Sequence, residues 1–158
     1  MKNVKKFILF LTLNFGVLAL GSVFTAKGVT SDWYVHANQA PWTPPGFVFG
    51  LAWSTIMLCF SFYMTRIIDG VNSIKPKTMY VVYAIQWLLN FMWNPTFFYF
   101  HKASLALVLI ISLLVTVTWF LVVGKKHSVV SLLLVLPYFL WLLIAISLNA
   151  YIVMANPH

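Results

Sequence analysis

Two stretches of this 158-residue chain hold side chains that sit badly in hydrocarbon. In "QWLLNFMWNPTFF", Gln86, Asn90, Trp93 and Phe97 recur at spacings of four, three and four, which places them on one helix face. In "PYFLWLLIAISLNAY", Tyr138, Trp141, Ala145 and Asn149 follow at three, four and four. An amide away from water is costly unless paired, so both faces must look into a bundle or a cavity. Two readings stay open. The amides can be interhelical glue worth of order 1 kcal/mol each, with the aromatics as packing. Alternatively, the two faces wall a pocket for a flat apolar ligand, with a few polar anchors and space left by Ala145. A third stretch, "WYVHANQAPWTPPGFVFGLAW", sets Trp33, Trp42 and Trp53 around Pro41, Pro44 and Pro45.

Conventional catalytic chemistry is missing. The acids are Asp32 and Asp69, with no Glu; the topology derived below puts them on opposite sides, so they cannot act as a carboxylate pair. No ionisable group falls inside an apolar segment to serve as a proton or ion relay. Cys59 is a lone thiol within a span and reads as packing. His36, His101, His127 and His158 lie in loops or at the C-terminus without metal-ligand spacing, so no metal site is expected. His36 and His101 share one side and can be written as iron or porphyrin ligands at a cavity mouth, or as solvated loop residues. No Gly-rich phosphate loop is present.

The elements that position these residues follow from composition. Hydrophobic residues make up 62% and charged residues 8%, and mean hydropathy is +0.93, well outside the soluble range. The chain reads as one all-α integral membrane domain over 1–158. Five apolar segments, at about 7–26, 46–65, 79–100, 103–123 and 129–154, suit helices of about 20 residues, and none shows the alternation of barrel strands. The prediction is a bundle of five transmembrane helices. "MKNVKK" before the first segment also fits a secretory signal, but the apolar run is long for one and no clear cleavage site follows. The short "HKAS" link implies an antiparallel hairpin of the third and fourth spans.

Eight of the ten cations, namely Lys2, Lys5, Lys6, Arg66, Lys75, Lys77, Lys125 and Lys126, fall on one side of this topology. Only Lys27 and Lys102 fall on the other. That bias places the N-terminus in the cytoplasm and the C-terminus, with the proline-rich stretch, outside a cell membrane. The formal charge of +8 is thus topological, and nucleic-acid binding is not expected from cations dispersed over short loops. Trp33, Tyr34, Tyr99 and Trp119 suit the membrane interface. Gly46 and Gly50 form a G-x-x-x-G step that serves either dimerisation or packing within the chain.

Taken together, the motifs resemble the TspO/MBR family of tryptophan-rich sensory proteins, which includes the mitochondrial translocator or peripheral benzodiazepine receptor. Trp33, Tyr34, Trp42, Pro44, Pro45, Gly50 and Trp53 meet its first pattern. Gln86, Asn90, Trp93, Pro95, Phe97 and Phe98 meet its third-span pattern. Pro137, Tyr138, Trp141, Ala145, Leu148 and Asn149 meet its fifth-span pattern.

The resemblance implies a five-helix bundle, usually dimeric, with a cavity beneath the first extramembrane loop. It further implies binding of porphyrins such as protoporphyrin IX and of benzodiazepine-site drugs, and in several bacterial members light- and oxygen-dependent porphyrin degradation. By that likeness Trp53 and Trp141 match the tryptophans tied to degradation, and Asn90, Trp93 and Ala145 match other pocket positions. Trp33 and Trp42 match loop and mouth positions; Phe97, Tyr138 and Asn149 complete the expected ligand-binding set. No resident cofactor is required, because light and oxygen supply the chemistry. A carrier of tetrapyrroles and a ligand-dependent stress sensor are the alternatives. "LNAYIVMANPH" lacks the cation that the animal cholesterol motif needs, and "QAPW" replaces the usual "KPSW" in the lid.

Overall fold

The structure is a computed structural model that describes residues 2–68 and 74–156; Asp69 and His158 lie outside the described residues. Among the described residues there are six helices and no strand: α1 (Lys2–Gly28), α2 (Asp32–His36), α3 (Gly46–Ile67), α4 (Pro76–Phe98), α5 (Ala103–His127) and α6 (Val129–Ala155). The all-helical class agrees with the expectation. Helices α1, α3 and α5 overrun their apolar segments by two to five residues at cation-bearing ends, α6 by one, and α4 starts three residues early and stops two short of the expected bound. Short α2 lies within the stretch read from sequence as a loop; the Ser31 hydroxyl caps it by accepting from Tyr34 N–H.

Four helices, α1, α3, α5 and α6, are long and apolar enough to cross a membrane. The 23-residue α4 is as long but outside that group, since Gln86, Asn90, Asn94 and Pro95 dilute its apolar content. Its position explains how those groups are tolerated. α1 packs on α3 and α4, α4 on α5, α5 on α6, and α6 on α3, which closes a five-helix ring.

Polar side chains fix the register of this ring. Asn14 of α1 donates to Ser61 Oγ at 2.9 Å and accepts from the Tyr83 hydroxyl at 2.7 Å. Trp87 Nε1 donates to the Leu13 carbonyl at 2.9 Å, and Thr25 Oγ1 to Asn94 Oδ1 at 2.9 Å. Phe60 fills the ring centre: it stacks on Tyr63 and Tyr83 and meets Phe120 and Tyr138 edge-on. Beside it the Tyr63 hydroxyl donates to the Phe120 carbonyl at 2.6 Å. Phe60, Tyr63, Tyr83, Phe120 and Tyr138 thus form one buried aromatic cluster inside the bundle.

Close approach of α1 to α4 depends on Gly28, where an added Cβ would lie 2.4 Å from Phe98 Cβ. Gly28→Ala is expected to cost about 1–3 kcal/mol by overpacking. At Gly16 nothing lies within 4 Å, so Gly16→Ala should be neutral or slightly stabilising through helix propensity. Thermal unfolding of the two variants in one detergent checks the contrast, and equal midpoints would refute it.

Candidate ligand cavity

The helix faces picked out in the sequence turn inward as periodicity requires. On α4, Gln86, Asn90 and Phe97 are buried and Trp93 is half-buried; on α6, Tyr138, Trp141, Ala145 and Asn149 are buried. The two faces meet across the ring. Gln86 Nε2 donates to the Tyr138 hydroxyl at 2.8 Å, and Trp93 Nε1 donates to Asn149 Oδ1 at 3.2 Å. Asn149 Nδ2 in turn donates to the Ala103 carbonyl at 2.9 Å. Gln86 and Asn149 are thus interhelical ties. Asn90 is different: it is 6% exposed, yet no hydrogen bond from its amide to a described residue is formed.

At the α2 end the ring holds a partly open cavity of about 50 Å³. Phe49 of α3, Trp93, Phe97 and Phe98 of α4, and Ala145, Leu148, Asn149 and Ile152 of α6 form its walls. Tyr34, Gln39 and Thr43 cover it. The volume suffices for a few water molecules and not for a macrocycle. Apolar rings dominate, as expected of a site for a flat ligand. Burial pushes the Tyr34 phenol above its ordinary pKa, because desolvation penalises the phenolate. The group therefore stays neutral at physiological pH, and its hydroxyl has no hydrogen-bond partner among the described residues.

The cover is held from two sides. Trp33 stacks on His101 at 4.8 Å and meets Phe97 edge-on at 5.4 Å, which fastens α2 to the α4–α5 turn. His101 has a φ of 54°, the left-handed conformation of a tight turn. Over α6, Asn38 N–H donates to Asn156 Oδ1 at 2.8 Å, and Asn156 Nδ2 donates back to the Asn38 carbonyl at 3.2 Å. Trp42 Nε1 donates to Ser147 Oγ at 3.1 Å, and the Trp42 ring meets Tyr151 edge-on. Pro45 is the N-cap of α3, with extended backbone at ψ 147°; the paired prolines stiffen the segment between cover and wall.

The site residues named from the sequence therefore occupy three levels. Trp93, Phe97, Ala145 and Asn149 line the cavity itself. Trp33 and Trp42 belong to its cover. Asn90 lies one turn deeper than Trp93, and Tyr138 deeper still, where Trp53 meets it edge-on at 5.8 Å. Trp141 meets Phe49 edge-on at 5.4 Å, behind the cavity wall and against a groove between α3 and α6. Sequence reading missed Tyr34, Gln39, Thr43, Phe49, Phe98, Leu148 and Ile152 as lining residues. Asn38 and Asn156 could have been suspected only as polar loop residues, since their pairing depends on the fold.

Among the described residues no group of three or more His, Cys, Asp or Glu is placed to hold a metal ion. His36 bonds through Nδ1 to the Asp32 carbonyl at 2.8 Å, and His101 is occupied by Trp33.

Comparison with known proteins agrees with the motifs. The TspO/MBR family profile matches residues 7–155. The chain is similar to the tryptophan-rich protein TspO of Archaeoglobus fulgidus, with 33% identity over 155 residues, 98% of this chain and 99% of that one. It is 31% identical to the tryptophan-rich protein TspO of Bacillus cereus over 145 residues, 89% of each chain. With the human translocator protein it shares 29% identity over 146 residues, 88% of this chain and 82% of that one. With four apolar helices long enough to cross a membrane and a family match along almost its whole length, this chain is a multi-pass membrane protein and belongs to the TspO/MBR family.

Proposed function

We propose that the protein binds a flat conjugated tetrapyrrole, such as protoporphyrin IX, in the α2-end cavity and promotes its light- and oxygen-dependent breakdown. The observation that carries this reading is a cavity walled by aromatic rings of α3 and α4 and by α6, with the uncommitted Tyr34 phenol in its cover and the uncommitted Asn90 amide one turn below it. A macrocycle would gain stacking from Trp93, Phe97 and Phe49 and hydrogen bonds from the polar pair. Because the cavity is so small, binding requires the Asn38–Asn156 and Trp42–Ser147 contacts to open. Light supplies the energy, oxygen the oxidant, and Trp53 and Trp141 the readily oxidised side chains; no resident cofactor is invoked.

The surrounding architecture belongs to the same proposal. We read α4 as a span as well, the third in chain order, which brings the number of spans to five, because it closes the ring and its amides face inward. The cation bias orients the α2 end outward and the N-terminus into the cytoplasm of a cell, and a homodimer is the expected assembly. The name of the human relative suggests transport, but a buried aromatic cluster around Phe60, with the Tyr63–Phe120 hydrogen bond, occupies the bundle interior below the cavity. Binding with chemistry at one end fits that packing better than passage. The test is illumination in air of protoporphyrin IX with the purified protein and with empty micelles of the same detergent. Faster loss of absorbance with protein is expected, and equal rates would remove the chemical part of the proposal.

A further inference from the structure

We propose that the seam between α1 and α4 is a site for a phospholipid with a net negative headgroup, the phosphate held at the end opposite α2 and an acyl chain laid along the seam. The two helices run side by side in the same direction, in a register held along their length: Asn14 meets Tyr83, Leu13 meets Trp87 and Thr25 meets Asn94. Continued to the helix starts, that register sets Lys77 at the height of Lys2 and Tyr80 at the height of Lys5.

Helical spacing puts these residues on the outer rim of the seam. On α1, Lys2, Lys5, Leu9 and Leu13 recur at three, four and four; on α4, Lys77, Tyr80, Ala84 and Trp87 recur at three, four and three. The stripes border each other, since Trp87 Nε1 donates to the Leu13 carbonyl at 2.9 Å while Phe10 and Tyr83 behind them are buried. Leu9, Leu13 and Tyr80 are 50%, 38% and 45% exposed, so the rim is open to the surroundings. Ala84, with only a methyl group between two large rings, lowers it beside Leu9.

Both stripes change from cationic to apolar at one height. Lys2, Lys5, Lys75 and Lys77 are exposed, and among the described residues no acid lies at this end; the sequence has only Asp69, outside those residues, to offset them. Leu9, Leu13, Ala84 and Trp87 follow. From Lys77 to Trp87 is ten residues, about 15 Å of helix, which is half of a hydrocarbon core about 30 Å thick. The seam thus offers charge at the interface and an apolar rim as deep as one leaflet. A soluble phosphate would use the cations and leave the rim idle, and a zwitterionic lipid would bring its own cation among the lysines. An anionic phospholipid suits both parts. The bias of cations toward one side of a membrane accounts for lysines at this end, but not for four of them crowning one seam. Lys125 and Lys126, exposed at the end of α5, follow the same bias away from it.

Quenching of tryptophan by brominated lipid tests the site, because bromine acts on contact and Trp87 lies on the rim. The full chain, without porphyrin, is placed in phosphatidylcholine nanodiscs holding a minor share of phosphatidylglycerol. Bromine is carried on the acyl chains either of that phosphatidylglycerol or of an equal amount of phosphatidylcholine. Stronger quenching is expected from the brominated phosphatidylglycerol, with the excess lost in Trp87→Phe. Lys5→Gln with Lys77→Gln should lower the preference for phosphatidylglycerol about tenfold, whereas Lys125→Gln with Lys126→Gln, which removes the same charge, should leave it unchanged. Equal quenching by the two brominated lipids, an excess that survives in Trp87→Phe or in the first lysine pair, or an equal loss in both pairs, as diffuse attraction would give, would overturn the proposal. Loss of the excess on adding glycerol 3-phosphate would assign the cations to a soluble phosphate and overturn it too. Should Trp87→Phe fail to fold, the two lysine pairs, whose side chains are exposed, decide alone. No porphyrin is present, so the result is separate from the fate of the tetrapyrrole reading.

Discussion

Replacing Trp53 and Trp141 together by Phe should slow light-driven bleaching of bound protoporphyrin IX at least about tenfold, equivalent to roughly 1.4 kcal/mol in barrier. The comparison is made at porphyrin concentrations that saturate both proteins. Phe retains most of the edge-on packing that Trp53 gives Tyr138 and Trp141 gives Phe49, so helical content should hold. What disappears is the indole, the side chain most easily oxidised by an excited macrocycle or by the oxygen species it generates. Single replacements should fall between the double variant and the parent. Identical bleaching rates for parent and double variant would show that these indoles take no part.

Filling the cavity should have an effect of similar size on binding in the dark. Ala145 is 7% exposed and lines the cavity opposite the α4 aromatics. A phenyl ring at this position would occupy more than the cavity's 50 Å³, so even an opened cover would leave no slot for a macrocycle. Ala145→Phe is expected to weaken porphyrin binding about a hundredfold, or about 2.8 kcal/mol, with a stability cost of about 1–3 kcal/mol from overpacking. Ala145→Ser, nearly the same size, should bind as the parent does. Fluorescence quenching in detergent measures both. Unchanged affinity in a folded Ala145→Phe protein would place the ligand elsewhere.

Much of this arrangement was legible in the residues because helical periodicity is a strong signal. Gln86, Asn90 and Phe97 all turned inward, and so did Tyr138, Ala145 and Asn149, since a polar stripe on an apolar helix has few other places to go. Asn14 was invisible by the same logic. It is a single amide on α1 without a stripe, and its partners Ser61 and Tyr83 come from two other helices. Gly46 and Gly50 could not be assigned from spacing; in the structure no atom lies within 4 Å of an added Cβ at either, so neither serves packing within the chain. The cover was the hardest part to foresee. Its fastening by Asn38, Trp42 and Asn156 joins residues more than a hundred positions apart, and the proline run fixes only the local path. The division of the tryptophans between cavity, cover and groove likewise depends on helix rotation that a motif does not encode.

Binding of the tetrapyrrole is the central claim, and a titration in the dark tests it most directly. Protoporphyrin IX is added to the purified full chain in nanodiscs while tryptophan fluorescence and porphyrin absorbance are followed together. The account predicts saturable quenching at one porphyrin per chain, a shifted porphyrin absorbance band, and displacement of the curve to higher concentration in Ala145→Phe. Quenching that rises without saturation, and is equal in the parent and in Ala145→Phe, would report porphyrin dissolved in the bilayer and would contradict the claim.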